Sequence, residues 1–170
     1  MDSDLTVVKA GTGVLTNTAD GSSDRASLVH LVAAIAGLIN SGKRCLFVSS
    51  GSVGSGVSAF GLTKYPEDIV TRQACAGVGQ ARLMETYGAL FSNFDITVAQ
   101  VLLTATDLAT PEKAGYVSSK LERILEEPRG CPSSTRTIPW RSKELTFGNN
   151  DMLSLTVCQD GGGFKDYFAD

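Results

Sequence analysis

The sequence predicts an α/β fold, a mainly parallel sheet with helices on its faces. Three observations carry this. A short β-branched run, Leu5-Thr6-Val7-Val8, stops at Lys9 and a glycine turn. An apolar run, Cys45 to Val48, stops in a loop of serine, glycine and one valine, Ser49 to Gly56. Between them, Leu28, Leu31, Val32, Ile35, Leu38 and Ile39 recur at helical spacing. Strand, helix, strand in that order is a βαβ unit, whose crossover makes the strands parallel and lays a helix on the sheet.

The bulk composition agrees. A chain of 170 residues suffices for one domain with a real core, and a single domain over residues 1–170 is expected. It is 42% hydrophobic and 19% charged, which are globular values. A formal net charge of -3 argues against a general nucleic-acid binder. Cys45, Cys75, Cys131 and Cys158 form no CxxC pair and no zinc spacing. Two of them fall in an expected strand and helix, so buried free thiols and a reducing cytoplasm are expected. The acidic start, Met1-Asp2-Ser3-Asp4, leads into no signal-peptide core, and no apolar run is long enough for a membrane span.

The elements follow in order. The first strand is Leu5–Lys9. The first helix starts at an N-cap of Ser23 or Asp24 and closes at Gly42. Its His30 is the chain's one histidine, and it reads as a solvated or core-edge residue rather than part of a Ser-His-Asp triad. The second strand is Arg44–Ser49. A short helix ends at Phe60-Gly61-Leu62. A long helix is expected from Glu67 to Phe91, with Pro66, Glu67 and Asp68 at its start. Its small-residue centre, Ala74 to Ala81, reads as close packing against the sheet or a second subunit. Asp95–Leu103 is a third strand, adjacent to the other two, and Lys113–Glu126 is a helix stopped by Pro128. From Arg129 to Lys143 there are two prolines and no periodicity. The rhythm of the fold calls for a strand there, but the sequence shows no pattern for one, so 129–143 is taken as a diverged loop. Gly148 to Asp151 is a polar turn, and Gln159 to Asp170, with three successive glycines, reads as an irregular tail.

The chemistry concentrates at strand ends. Lys9 followed by Ala10-Gly11-Thr12-Gly13 puts an ammonium and backbone N–H groups at one carboxyl end, which suits phosphate oxygens. An ordinary surface lysine would look the same. No GxxxxGK[ST] occurs, and the GxG lacks the third glycine of a dinucleotide fingerprint. Ser49 to Gly56 is either an ordinary βα turn or a backbone loop offered to a ligand, with free helix N–H groups for an anion.

Five local signals then fall in one sequence order. They are Lys9-Ala10-Gly11-Thr12-Gly13, Ser49 to Gly56, Gly79-Gln80-Ala81-Arg82-Leu83-Met84-Glu85, Gln100-Val101-Leu102-Leu103-Thr104, and Phe147 to Ser154. Together they resemble the amino acid kinase family, nearly continuously from Thr6 to Leu108 and again from Glu144 to Leu155. The resemblance implies the N-terminal part of an αβα sandwich with a mainly parallel sheet. It implies transfer of the γ-phosphoryl of ATP, with Mg²⁺, to the side-chain carboxylate of L-glutamate, the first step of proline synthesis. Lys9 matches the lysine that contacts the transferring phosphate, and Gly11, Thr12 and Gly13 match the phosphate loop. Ser50, with Gly51, matches the glutamate-binding serine. Asn150 matches an asparagine on glutamate, and Asp151 an aspartate that orients catalytic lysines. A homo-oligomer is among the expected partners; nucleic acid and membrane are not.

The sequence also departs from that pattern. The family's acidic loop, whose aspartate holds the amino group of glutamate, falls on Thr135 to Trp140, which has no carboxylate and carries Arg136. An asparagine of the preceding helix is replaced near Ser118, and Asn149 stands where aspartate is usual. The threonine-aspartate strand end, the second catalytic lysine and the GTGGM-type loop have no counterpart, so the domain is expected to be incomplete at its C-terminus.

Overall fold

The computed structural model describes residues 5–11, 24–104, 107, 109–136 and 165–169. Its elements run β1 (Leu5–Ala10), α1 (Arg25–Asn40), β2 (Arg44–Ser49), α2 (Ser52–Ala59), α3 (Ile69–Ser92), β3 (Thr97–Leu103), α4 (Pro111–Leu125), β4 (Gly130–Arg136) and β5 (Lys165–Ala169). The five strands form one sheet in the order β3-β4-β2-β1-β5. Every pairing in it is parallel.

Side-chain alternation along each strand separates two apolar layers. Val8, Ala10, Cys45, Phe47 and Cys131 meet α1 and α3 through Leu28, Val32, Ile35, Leu83, Tyr87 and Phe91. Leu5, Val7, Leu46, Val48, Val101 and Leu103 meet α4 through Val117, Leu121 and Leu125. Helices therefore cover both faces, the αβα arrangement that the sequence implied. β2, buried at every residue from Cys45 to Ser49, sits in the middle of the sheet and is apolar on both sides from Cys45 to Val48.

The helix ends follow from local chemistry. The Asp24 carboxylate accepts from the Ala26 and Ser27 N–H groups, each at 3.1 Å, and so fixes Asp24 as the cap of α1. Gly42, at φ 86°, turns the chain just beyond the last turn. α3 starts later than Glu67 because Asp68 is its cap, accepting from Thr71 N–H at 2.7 Å. β3 starts at Thr97 rather than Asp95, because Asp95 sits in a turn at φ 57°. Thr110 caps α4, with Pro111 in its first turn. His30 is exposed on α1.

Three expectations are corrected. β3 is not adjacent to β2, because β4 lies between them. The strand missing from the sequence pattern is β4, within the stretch taken as a loop. It is built from small residues, with Cys131 and Ser133 fully buried, and Pro132 breaks the usual strand signature. The register with β2 runs from Ser133 onward, past the imino nitrogen that cannot donate. The stretch taken as a tail contributes β5, which pairs with β1 from Thr6↔Lys165 to Ala10↔Ala169.

Candidate functional site

The first two strand ends meet at the carboxyl edge of the sheet. Lys9 pairs with Val48 and Ala10 with Ser49. The Ser50 N–H then donates to the Ala10 carbonyl at 3.1 Å, carrying the ladder one residue past the strand. Gly11 and the Ser50-Gly51 step therefore leave the sheet side by side. Lys9, half-buried, alternates onto the face of Leu5 and Val7, the α4 side.

Gly51 adopts φ 91°, a left-handed conformation that a side chain would strain. This lets the chain turn straight from β2 into α2. Among the described residues no side chain caps α2, and its first turn is closed by Ser55 N–H on the Gly51 carbonyl at 2.9 Å. The leading N–H groups of a helix start of this kind suit an anion.

α2 is held by close approach to α3. A Cβ on Gly56 would lie 1.9 Å from the Cys75 carbonyl oxygen, and one on Gly79 would lie 1.8 Å from that of Ser52. The small-residue centre of α3 thus packs closely, as expected, but against α2 rather than the sheet. Val53, Val57 and Cys75 fill the contact.

A second grip comes from Tyr87, wholly buried on α3. Its hydroxyl lies 2.7 Å from Ser49 Oγ. Its ring meets Phe47 edge-on, with centroids 5.0 Å apart and planes at 85°. Burial pushes the phenol up to about 12. The Ser49 hydroxyl in turn donates to the Ser50 carbonyl at 3.1 Å.

At the end of β3, the Asp107 carboxylate accepts from Thr104 Oγ1 at 2.6 Å and Thr104 N–H at 2.7 Å. These bonds, the side-chain one foremost, hold it below the usual carboxylate range. This turn is separated from the Ser/Gly loop by the width of β4.

Of the residues singled out from sequence, Lys9, Gly11, Ser50 and Gly51 come together at one edge. Thr12, Gly13, Asn150 and Asp151 lie outside the described residues. Ser118 is half-buried on α4. Two surface hollows lie elsewhere. One is between α1 and α3, beside Arg25 and Glu85, and the other is by Thr97, Arg123 and Gly130. Sequence reasoning placed Ser49 in the ligand loop without giving it a role, and missed Tyr87 and Asp107. The one signal for Tyr87 was a polar-tipped aromatic in the apolar spacing Leu83, Tyr87, Phe91.

Residues 4–159 match the amino acid kinase family, and the chain belongs to that family. Within it, the chain is similar to proteins named glutamate 5-kinase. It is 38% identical to that of Bifidobacterium adolescentis over 151 residues, covering 89% of this chain and 40% of the relative. It is 40% identical to that of Geobacter sp. strain M21 over 154 residues, covering 89% and 40%. It is 36% identical to that of Symbiobacterium thermophilum over 151 residues, covering 89% and 57%. The chain thus spans about two fifths of the length of most of these relatives. Among the described residues no helix is long and apolar enough to cross a membrane.

Proposed function

We propose that the carboxyl edge of β1 and β2 is the phosphoryl-transfer site of a glutamate 5-kinase, in which ATP phosphorylates the side-chain carboxylate of L-glutamate to glutamyl 5-phosphate in proline synthesis. The observation that carries this reading is the hydrogen bond from Ser50 N–H to the Ala10 carbonyl, which joins the lysine-glycine end of β1 to the Ser/Gly loop. Phosphoryl transfer asks the protein chiefly to position reactants and to neutralise charge on the moving group. In this reading Lys9 neutralises, and Gly11, Thr12 and Gly13 hold phosphate oxygens. Ser50, Gly51 and Asn150 hold glutamate, and Asp151 orients the catalytic lysine. A well-placed donor of this kind is worth about 3–4 kcal/mol of barrier. Among the described residues no cluster of three His, Cys, Asp or Glu side chains could hold a metal. In this reading Mg²⁺ arrives on the phosphates of the nucleotide. The setting is a reducing cytoplasm, with a homo-oligomer as the assembly.

A second reading is a domain that binds an anion or a partner subunit without turnover. It is favoured by Thr135 to Trp140, which offers no carboxylate to a glutamate ammonium. Coupled ADP release with glutamate, ATP and Mg²⁺, run beside phosphate calorimetry on wild type and Lys9→Ala, separates the two. Glutamate-dependent ADP release that Lys9→Ala removes supports the kinase. Phosphate binding lost in Lys9→Ala, without turnover, supports the second reading. Neither activity nor Lys9-dependent phosphate binding would refute the site.

A further inference from the structure

The hydroxyl protons around Ser49 can be placed by counting. A serine hydroxyl has one proton. The Ser49 proton goes to the Ser50 carbonyl, at 3.1 Å. The 2.7 Å contact between Ser49 Oγ and Tyr87 Oη is then donated by tyrosine. The result is a directed chain, Tyr87 O–H to Ser49 O–H to the Ser50 carbonyl. Ser49 is 1% exposed and Tyr87 0%, so water does not compete for these groups.

The Ser50 backbone is thereby held on both sides. Its N–H is bound to Ala10 and its carbonyl to Ser49. A trans peptide is planar, with N–H and C=O pointing in opposite directions. Fixing the Ser50 carbonyl therefore fixes the Gly51 N–H. Ser49 and Tyr87 lie on the α3 side of the sheet, with Phe47 and Cys45. Lys9 is on the other side, with Leu5 and Val7. A glycine at φ 91° has alternative conformations open to it. The relay restrains this peptide from outside the loop.

We infer that Tyr87 is a positioning residue of the proposed anion site. Through the Ser49 hydroxyl it locks the Ser50–Gly51 peptide so that the Gly51 N–H is turned away from α3, toward the side of the sheet that carries Lys9. The inference rests on the functional reading above for what the N–H binds, but not for the lock itself. Tyr87 touches no ligand. It acts through Ser49, and its neutral phenol keeps the proton it donates.

The test uses amide NMR on the full chain. Tyr87→Phe keeps the ring against Phe47 and removes only the hydroxyl. Ser49→Ala removes the middle of the relay. Both variants should shift the Gly51 amide resonance. Both should speed hydrogen exchange at the Ser50 amide about tenfold, the fold-change that one hydrogen bond of ordinary net strength gives, while Val48 stays protected. The double variant should be no worse than either single one. Titration with inorganic phosphate should give about tenfold weaker binding in each. A purely structural tyrosine would instead lower the melting temperature and leave the Gly51 resonance and Ser50 exchange as in wild type. That result overturns the inference. If exchange responds as expected but wild type and Lys9→Ala do not differ in phosphate binding, the lock stands and the functional reading falls.

Discussion

Gly79→Ala puts the α2–α3 contact to a direct test. The new methyl would lie 1.8 Å from the Ser52 carbonyl oxygen and 2.5 Å from the Gly56 nitrogen, both backbone atoms that no side-chain rotation can move. The helices must part by more than an ångström. A gap of that size forfeits a quarter to a half of the dispersion energy of the atoms it separates, in this case around Val53, Val57 and Cys75. Overpacking of this kind costs about 1–3 kcal/mol, and backbone on both sides of the clash puts this case at the upper end. The gain in helix propensity, about 0.8–1.0 kcal/mol, opposes it. A net loss of about 2 kcal/mol should lower the melting temperature by roughly 4–8 °C for a chain of this size.

The same helix supplies the controls. A Cβ on Gly77 or on Gly88 meets nothing within 4 Å. Alanine at either should raise the melting temperature by roughly 2–4 °C through propensity alone. Thermal unfolding followed by far-ultraviolet circular dichroism compares the three variants in one afternoon. If Gly79→Ala melts at or above wild type, the close approach does not exist and α2 is not held by α3.

Further outcomes are expected. Asp107 has a depressed carboxyl in the folded chain, so its contribution is present above the unfolded value of about 3.9 and is lost as pH falls through the lower folded value. The stability of wild type should therefore fall more steeply with acid than that of Asp107→Asn, whose curve is flatter, and the two should converge at low pH; identical acid limbs would contradict the Thr104 bonds. Tyr87 and Cys131, both pushed up to about 12 chiefly by burial, stabilise fully below their unfolded values and lose that contribution as pH rises toward 12. Spectrophotometric titration should show one tyrosine ionising only with alkaline unfolding. Cys45, Cys75 and Cys131 are buried, so at most one thiol should react with a disulfide reagent before denaturant is added. Glutamate, lacking a carboxylate for its ammonium in Thr135 to Trp140, should bind about 10²–10⁴ more weakly than with that partner present. On the reading without turnover, calorimetry should detect no binding at millimolar glutamate; a millimolar or tighter constant would show that another carboxylate serves and would favour the kinase.

The legible parts of the fold were those where side-chain pattern and backbone role coincide. β1 and β2 are apolar on both faces because both faces are covered, and α1 carries its stripe between Asp24 and Gly42. β4 was illegible because its place is secured by ladders on either side rather than by side-chain bulk. Gly130-Cys131-Pro132-Ser133 has no strand signature to read, yet small buried residues suit a position between β2 and β3. β5 is an edge strand of five residues whose evidence is its pairing with β1. At the site, glycine and serine announced the Ser50–Gly51 loop by composition alone. Its support from Tyr87 lies 38 residues away, and no local pattern connects the two.

That support shows why α3 is long. Its buried residues are Cys75, Gly79, Leu83, Tyr87 and Phe91, spaced by four throughout. An α-helix turns about 100° per residue, so each step of four overshoots a full turn by about 40°. From Gly79 to Tyr87 the buried stripe has swung by about 80° and risen about 12 Å. A stripe spaced by three and four alternately would have stayed on one face. This one winds, so the helix presents Cys75 and Gly79 to α2 and Tyr87 and Phe91 to the sheet. α2 and the end of β2 are the two arms of the Ser/Gly loop, and α3 grips one with each end of its stripe. Glycine at 79 sets how near the first arm lies, and the hydroxyl at 87 sets how the peptide of the second is turned. A residue inserted between them would rotate Tyr87 by about 100° relative to Gly79 and break one grip or the other. The spacing of eight between these two residues is thus as much a part of the loop's geometry as the glycines within it.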